Sequence, residues 1–156
     1  MKIKKTLNKK VRNATIISFD GVLFKSKLEL YAYKRLKEEK IEFQYEGIKF
    51  EITPAFTFEN KSYELLRKSN AKVFTEQSNK IRPITYTPDF VGNNWIIETK
   101  GNPNEVFPIK WKLFKLYLTT TKQNYDLFVP RNHKQIDQAI EIIKQNEGIL
   151  HRKKGK

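Results

Sequence analysis

The run from Tyr86-Thr87-Pro88-Asp89-Phe90-Val91 through Gly92-Asn93-Asn94 to Trp95-Ile96-Ile97-Glu98-Thr99-Lys100-Gly101 leaves the chain few ways to fold. Apolar and β-branched residues flank a cluster able to supply positive φ, the pattern of two short strands joined by a tight turn. With Asn93-Asn94 as the loop, Val91 falls opposite Ile96, Phe90 opposite Ile97 and Asp89 opposite Glu98. Paired residues project to one side with Cβ atoms roughly 5 Å apart, where like charges are destabilising. Lys100 shares that side by the period of two. Tyr86, Phe90, Trp95 and Ile97 are expected on the other side, against a core.

A divalent cation between Asp89 and Glu98 would remove their repulsion. A few hard oxygen ligands suit magnesium, which keeps waters for a substrate phosphate. The competing reading is a surface hairpin whose acids pair with neighbouring lysines. The coincidence of Pro88-Asp89, Glu98-Thr99-Lys100 and hairpin spacing favours the metal.

At these residues the sequence resembles the PD-(D/E)XK nuclease superfamily, whose pattern is met by Pro88-Asp89 followed by Glu98-Thr99-Lys100. Upstream, Phe24-Lys25-Ser26-Lys27-Leu28-Glu29, the helix after it, Ile41 to Glu46 and Thr85 to Phe90 look like the phage endonuclease I group of Holliday junction resolvases. The resemblance covers roughly residues 24–52 and 84–101. It departs from that group at 54–82 and at Asp20-Gly21, which is similar instead to TnsA-like endonucleases and small phage nucleases. The resemblance implies an α/β fold, a restriction-endonuclease-like mixed β-sheet flanked by α-helices. It implies a metal-dependent DNA endonuclease with Glu29, Asp89, Glu98 and Lys100 as catalytic residues. Asp89, Glu98, the Thr99 carbonyl and Glu29 would hold magnesium, with manganese as a substitute. It further implies branched DNA as substrate and a homodimer, domain-swapped in that group. The alternatives are a TnsA-like or other phage nuclease acting on linear or single-stranded DNA, and a non-catalytic DNA-binding protein on a nuclease fold.

The chain has 156 residues, enough for one domain, and no cysteine, which excludes disulfides and thiolate zinc sites. No apolar run is long enough for a signal peptide or a membrane span, so a cytoplasmic protein of a bacterial or phage-infected cell is expected, with no organic cofactor. The formal charge is +14, from 31 Lys+Arg against 17 Asp+Glu. Ten of those charges lie in residues 1–12, which include Lys4, Lys5, Lys9 and Lys10, and in 151–156, which include Arg152, Lys153 and Lys154. A basic arm, a single domain over 13–150 and a basic tail are therefore expected, the arms tracking DNA phosphates or else solubilising the chain.

Along the domain, Asp20-Gly21 marks a hairpin between β-prone segments. Ser26-x-x-Glu29 is a capping box opening a helix to about Lys40, with Leu28, Tyr31, Ala32 and Leu36 inward. The cap alone explains Glu29; a metal role comes from the resemblance. Lys25 and Lys27 would border the site. Ile41 to Ile52 reads as one long strand interrupted at Gly47 and ended by Pro54. Phe56 and Phe58 extend it, Ser62 to Lys68 reads as one or two helical turns, and Thr75 to Lys80 as a polar loop. Asn102 to Asn104 is a loop. A helix from Pro108 to Thr120 has Ile109, Leu113, Leu116 and Tyr117 as its stripe, widened by Trp111, Phe114 and Leu118. Lys110 and Lys112 on it are candidate phosphate contacts. Tyr125 to Val129 is a strand, and Gln135 to Gln145 a helix with Ile136, Ala139, Ile140 and Ile143 inward, preceded by a structural His133.

Overall fold

The computed structural model describes residues 16–65, 74–101 and 106–148. The basic arm, the basic tail with its lysines and arginine, and the Asn102 to Asn104 loop lie outside the described residues. The described chain is a mixed α/β structure with three helices and several small sheets.

Strands β1 (Ile17–Phe19) and β2 (Val22–Phe24) pair Phe19 with Val22 across Asp20 and Gly21, both at positive φ, as an Asp-Gly turn requires. Helix α1 (Lys27–Glu38) follows. Its cap Ser26 accepts from the Glu29 amide at 3.1 Å, and Ala32, Tyr33 and Leu36 are buried. The segment expected as a strand broken by a bulge or turn at Gly47 is indeed broken there, but its two parts, β3 (Gln44–Tyr45) and β4 (Phe50–Thr53), join different sheets. Glu46, at φ 46°, turns the chain between them.

The central sheet has the order β12-β11-β10-β3, with β10 (Phe90–Val91), β11 (Trp95–Ile97) and β12 (Asp126–Phe128). The expected hairpin register is observed, Phe90 opposite Ile97 and Val91 opposite Ile96. Strands β11 and β12 run parallel, joined through helix α2 (Val106–Thr120), and helix α3 (His133–Asn146) ends the described chain. Both faces of the hairpin are buried. Phe90, Trp95 and Ile97 pack with α1 and α3 through Leu36, Ile136 and Ile140, whereas Val91 and Ile96 pack with Phe114 and Leu118 of α2 and with Phe50 and Tyr86. Tyr86 thus lies on the opposite face from the one its parity suggested. The alternation is broken at Thr87-Pro88, and strand β9 (Ile84–Tyr86) pairs with β4 rather than with the hairpin.

Three further expectations are corrected. The turn at Gly92 needs no positive φ, because the left-handed positions among the described residues lie elsewhere. Gly92 is required for space: a Cβ there would sit 2.1 Å from Cε2 of Trp95. On α2, Ile109 and Leu116 are exposed, and the buried stripe runs through Phe114 and Leu118. Two apolar stripes share that helix, and spacing alone does not choose between them. Finally, the segment around Ser62 is extended. Strands β5 (Phe56–Thr57), β6 (Tyr63–Glu64), β7 (Thr75–Glu76) and β8 (Lys80–Ile81) pair β5 with β8 and β6 with β7, continuing the β4–β9 pair outward as a two-stranded ribbon. Of the helical turns expected over Ser62 to Lys68, residues 66–68 lie outside the described residues; the described part and the expected polar loop give way to cross-strand hydrogen bonds, among them Phe58 amide to Asn79 carbonyl at 2.7 Å and Gln77 amide to Ser62 carbonyl at 2.9 Å.

The packing of Trp95 over Gly92 sets a test. Trp95 is 1% exposed and its indole N–H donates to Glu147 at 2.9 Å, so it has little freedom to yield. Gly92→Ala should cost about 3 kcal/mol, in the upper range for overpacking a filled core. Thermal unfolding should show this as a fall on the order of 10 °C. Adding Trp95→Leu should return part of the loss; an unchanged melting temperature for Gly92→Ala alone would refute the contact.

Candidate active site

The acids meet one rung beyond the paired part of the hairpin. Asp89 and Glu98 are both buried, at 9% and 4% exposure, in a chain whose other acids mostly face water. The Glu98 amide donates to the Phe128 carbonyl at 2.9 Å, so the parallel strand β12 fixes its backbone. The Asp89 carbonyl accepts from the Glu46 amide at 2.9 Å, which ties the same rung to the turn after β3.

Among the described residues, the donors to these carboxylates are local in sequence. Thr99 donates both its amide, at 2.7 Å, and its hydroxyl, at 2.6 Å, to Oδ2 of Asp89. Glu98 Oε2 accepts from the Tyr86 hydroxyl at 2.7 Å and from the Asp89 amide at 3.3 Å. Its other oxygen is 2.6 Å from Nζ of Lys100, whose ammonium lies over the Phe107 ring at 5.1 Å. The sequence thus brings Asp89, Glu98, Thr99 and Lys100 together as expected. The ammonium lies on Glu98, while Thr99 holds Asp89. Burial, then the charge of Glu98, push the Asp89 carboxyl up to about 7, with Glu29 adding to the rise while the Thr99 donors oppose it.

Glu29 is close enough for its charge to act on Asp89, yet its own bonds run elsewhere. It accepts from the Lys25 amide at 2.9 Å, the Ser26 hydroxyl at 2.9 Å and the Tyr45 hydroxyl at 2.8 Å. It therefore serves the helix cap and borders the acid pair at once, and it does so within a single chain. Lys25 forms an ion pair with Glu46. Burial disfavours its ammonium, but the Glu46 bond and the charges of Glu46, Glu29 and Asp89 outweigh that and hold its pKa above the ordinary value. Lys27 and Lys112 are exposed and Lys110 half-buried.

Tyr45, Tyr86, Glu46 and Phe107 were not legible as site residues. Both tyrosines sit in apolar alternation, where a hydroxyl donor looks like core. Burial, then Glu98, push the Tyr86 hydroxyl far up; burial and the Glu29 bond do the same to Tyr45, so both remain donors at any ordinary pH.

The donor set is all oxygen and carries an unmet negative charge, which fits a small hard cation held by Asp89 and Glu98. Among the described residues no three His, Cys, Asp or Glu side chains gather around one point.

Residues 9–131 match the family described as Protein of unknown function (DUF1064), and the chain belongs to that family. No curated protein and no solved structure matches the chain.

The raised Asp89 pKa has a measurable sign. Folding binds a proton at Asp89 between its ordinary value near 3.8 and about 7, so this group's contribution is fully present below pH 4 and is lost as pH rises through 7. In metal-free protein, Asp89→Asn should therefore melt above wild type at pH 8. That gap should shrink toward pH 4.5, a change on the order of 2–4 kcal/mol. Magnesium should raise the melting temperature of wild type at pH 8 and leave the variant unmoved. A gap independent of pH would show that burial does not oppose this charge.

Proposed function

We propose that this chain is a magnesium-dependent DNA endonuclease with a restriction-endonuclease-like fold. The observation that carries the reading is the buried Asp89–Glu98 pair on adjacent strands, with Lys100 closing on Glu98. The mixed sheet with helices on both faces is compatible with it. A structural ion pair would bury one charge of each sign; here two carboxylates are buried side by side and the half-exposed ammonium of Lys100 meets only Glu98, in a chain of net charge +14.

Asp89 and Glu98 would hold the ion, joined by the Thr99 carbonyl as the family pattern implies. Bound there, magnesium supplies charge neutralisation, polarisation of the scissile phosphate and a lowered pKa for the attacking water. The protein's part is positional. Thr99 fixes one carboxylate through two donors and Tyr86 the other through one, so both are oriented before substrate arrives. Lys100, already 2.6 Å from Glu98, would orient the water or neutralise charge developing on the phosphate. Phe107 under its ammonium restrains it without competing for its donors. Glu29, held by Ser26, Lys25 and Tyr45, would position a second ion or the water. The N- and C-terminal basic residues would add salt-dependent, sequence-independent affinity. Branched DNA remains the proposed substrate class, on the strength of the endonuclease I-like motif order.

Asp89→Asn, Glu98→Gln and Lys100→Ala should each lower cleavage of supercoiled and four-way-junction DNA at least a hundredfold in magnesium, with binding in calcium or chelator retained. A roughly 100-fold loss is the usual scale for removing one stabilising charge. Wild-type turnover in any of the three would sink the assignment. Faster cutting of the junction than of a linear duplex supports the resolvase reading; equal rates favour a general nuclease.

Deleting 1–12 and 151–156 should flatten the salt dependence of DNA affinity, since ten charges are removed. An unchanged slope of log Kd against log salt would show that those residues do not touch phosphate.

A further inference from the structure

Strand β10 pairs on both sides, and this sets Asp89 in a rung of acids. Phe90 lies opposite Ile97 of β11 and opposite Tyr45 of β3, both antiparallel, so the next rung places Asp89 between Glu98 and Glu46. The Glu46 amide donates to the Asp89 carbonyl at 2.9 Å, which continues the ladder there. Extended backbone at all three positions would set three carboxylates side by side. Glu46 departs from that pattern: its φ is 46°, and its carboxylate binds the Lys25 ammonium.

Left-handed backbone is unfavourable for a glutamate, whereas glycine adopts it freely and asparagine readily. The bond to Asp89 uses only the backbone, so either residue would keep it. What the glutamate adds is its pair with Lys25. That pair returns little to the fold, because the Lys25 side chain is 66% exposed and ion pairs so open to water contribute little to stability. Backbone strain kept without a return in stability points to a function for the side chain.

Lys25 is itself tied to the site. Its amide donates to Glu29 at 2.9 Å. Its ammonium is disfavoured by what burial it has and sustained by Glu46 first, then by the charges of Glu29 and Asp89. Lys100 stands on Glu98, just past β11 on one side of Asp89, and Lys25 stands on Glu46, just past β3 on the other. Two ammonium groups thus flank the central acid from opposite sides in the sheet order. A DNA strand carries a charge on every nucleotide, so a phosphate over the acid pair brings a neighbour to one side of it.

We propose that Glu46 is a positioning residue, holding the Lys25 ammonium on the β3 side of Asp89 to take an oxygen of the phosphate next to the one the acid pair would cut. An ammonium has three donors, so Lys25 can keep Glu46 and bind the phosphate together. The inference rests on the nuclease reading and deepens it: Lys100 serves the reacting phosphate and Lys25 its neighbour.

Cleavage of labelled four-way-junction and linear duplex DNA in magnesium, followed as KM and kcat, tests the assignment. Lys25→Gln should act mainly on KM, raising it about tenfold, the scale of one hydrogen bond to a charged group. Glu46→Gly should raise KM to a similar extent. The sign is decisive, because removing a negative charge beside a polyanion would lower KM through Coulomb attraction alone. Glu42→Gln removes the same charge from an exposed site on the same segment and should leave KM unchanged or lower. Glu46→Gln keeps a carbonyl acceptor for the ammonium and should fall between wild type and Glu46→Gly. Lys25→Gln combined with Glu46→Gly should be no worse than Lys25→Gln alone. Glu46→Gly and Glu46→Asn should both melt no lower than wild type, since each suits left-handed backbone. A KM for Glu46→Gly at or below that of wild type, a rise as large in Glu42→Gln, or additive losses in the double variant would overturn the proposal. So would lower melting temperatures for both Glu46→Gly and Glu46→Asn, which would assign the carboxylate to the fold. A wild type that cuts neither DNA in magnesium refutes the nuclease reading and this inference with it; a wild type that cuts while the Glu46 variants keep its KM refutes this inference alone.

Discussion

Asp89 and Glu98 are held side by side under burial by backbone that is anchored for other reasons. The hairpin that carries them is clamped between two cores, Phe90, Trp95 and Ile97 on one side and Val91 and Ile96 on the other. Strand β12 holds the Glu98 amide and the Glu46 turn holds the Asp89 carbonyl. Repulsion between the carboxylates is thus opposed by packing that neither residue contributes to. Their donors, Thr99, Tyr86 and Lys100, come from the same hairpin and from the strand just before it. A site assembled this locally keeps its geometry as long as the sheet does, and the cost appears as a carboxyl pushed up to about 7.

Helix α1 is tied to that centre by a residue serving two purposes. Glu29 closes the cap of the helix through Ser26 and the Lys25 amide, and turns a third bond to Tyr45 of β3. Its orientation is therefore set by the helix start and by the central sheet together. At the far end of α1, Arg35 binds Asp137, and Lys144 bridges to Glu39, joining α1 to α3. The carboxylate of Glu29 reaches the neighbourhood of Asp89 because the whole helix pair is seated on Phe90 and Trp95.

The hairpin, its register, the cap at Ser26 and the inward face of α3 were readable because each depends on contacts within a few residues. Asp89, Glu98 and Lys100 were placed on one face for the same reason: loop length and the period of two set their positions without knowledge of the rest. Thr99 entered only through the resemblance, as a carbonyl, whereas its amide and hydroxyl are what hold Asp89. Tyr86 was misplaced because Pro88 interrupts the alternation and the next sheet takes over. The ribbon escaped because its strands are two residues long and pair across as many as twenty-five positions, Phe56 with Ile81, leaving no periodic signal. On α2, a Val106-Ile109-Leu116 stripe and a Phe114-Leu118 stripe are equally regular; the choice belongs to Phe50 and Tyr86, far away in sequence. The donors Tyr45 and Tyr86 were hidden by their own rings, which satisfy an apolar pattern whatever the hydroxyl does.

The ribbon leaves the domain and returns to it through one rung, Thr53 opposite Ile84. Residues between those two can be added or lost in matched pairs without moving the strands that carry Asp89 and Glu98, because the rung closes the boundary before the hairpin begins. The chain is in that sense modular: the acid pair sits on a hairpin whose register two cores fix, while the ribbon can change in length behind its own rung.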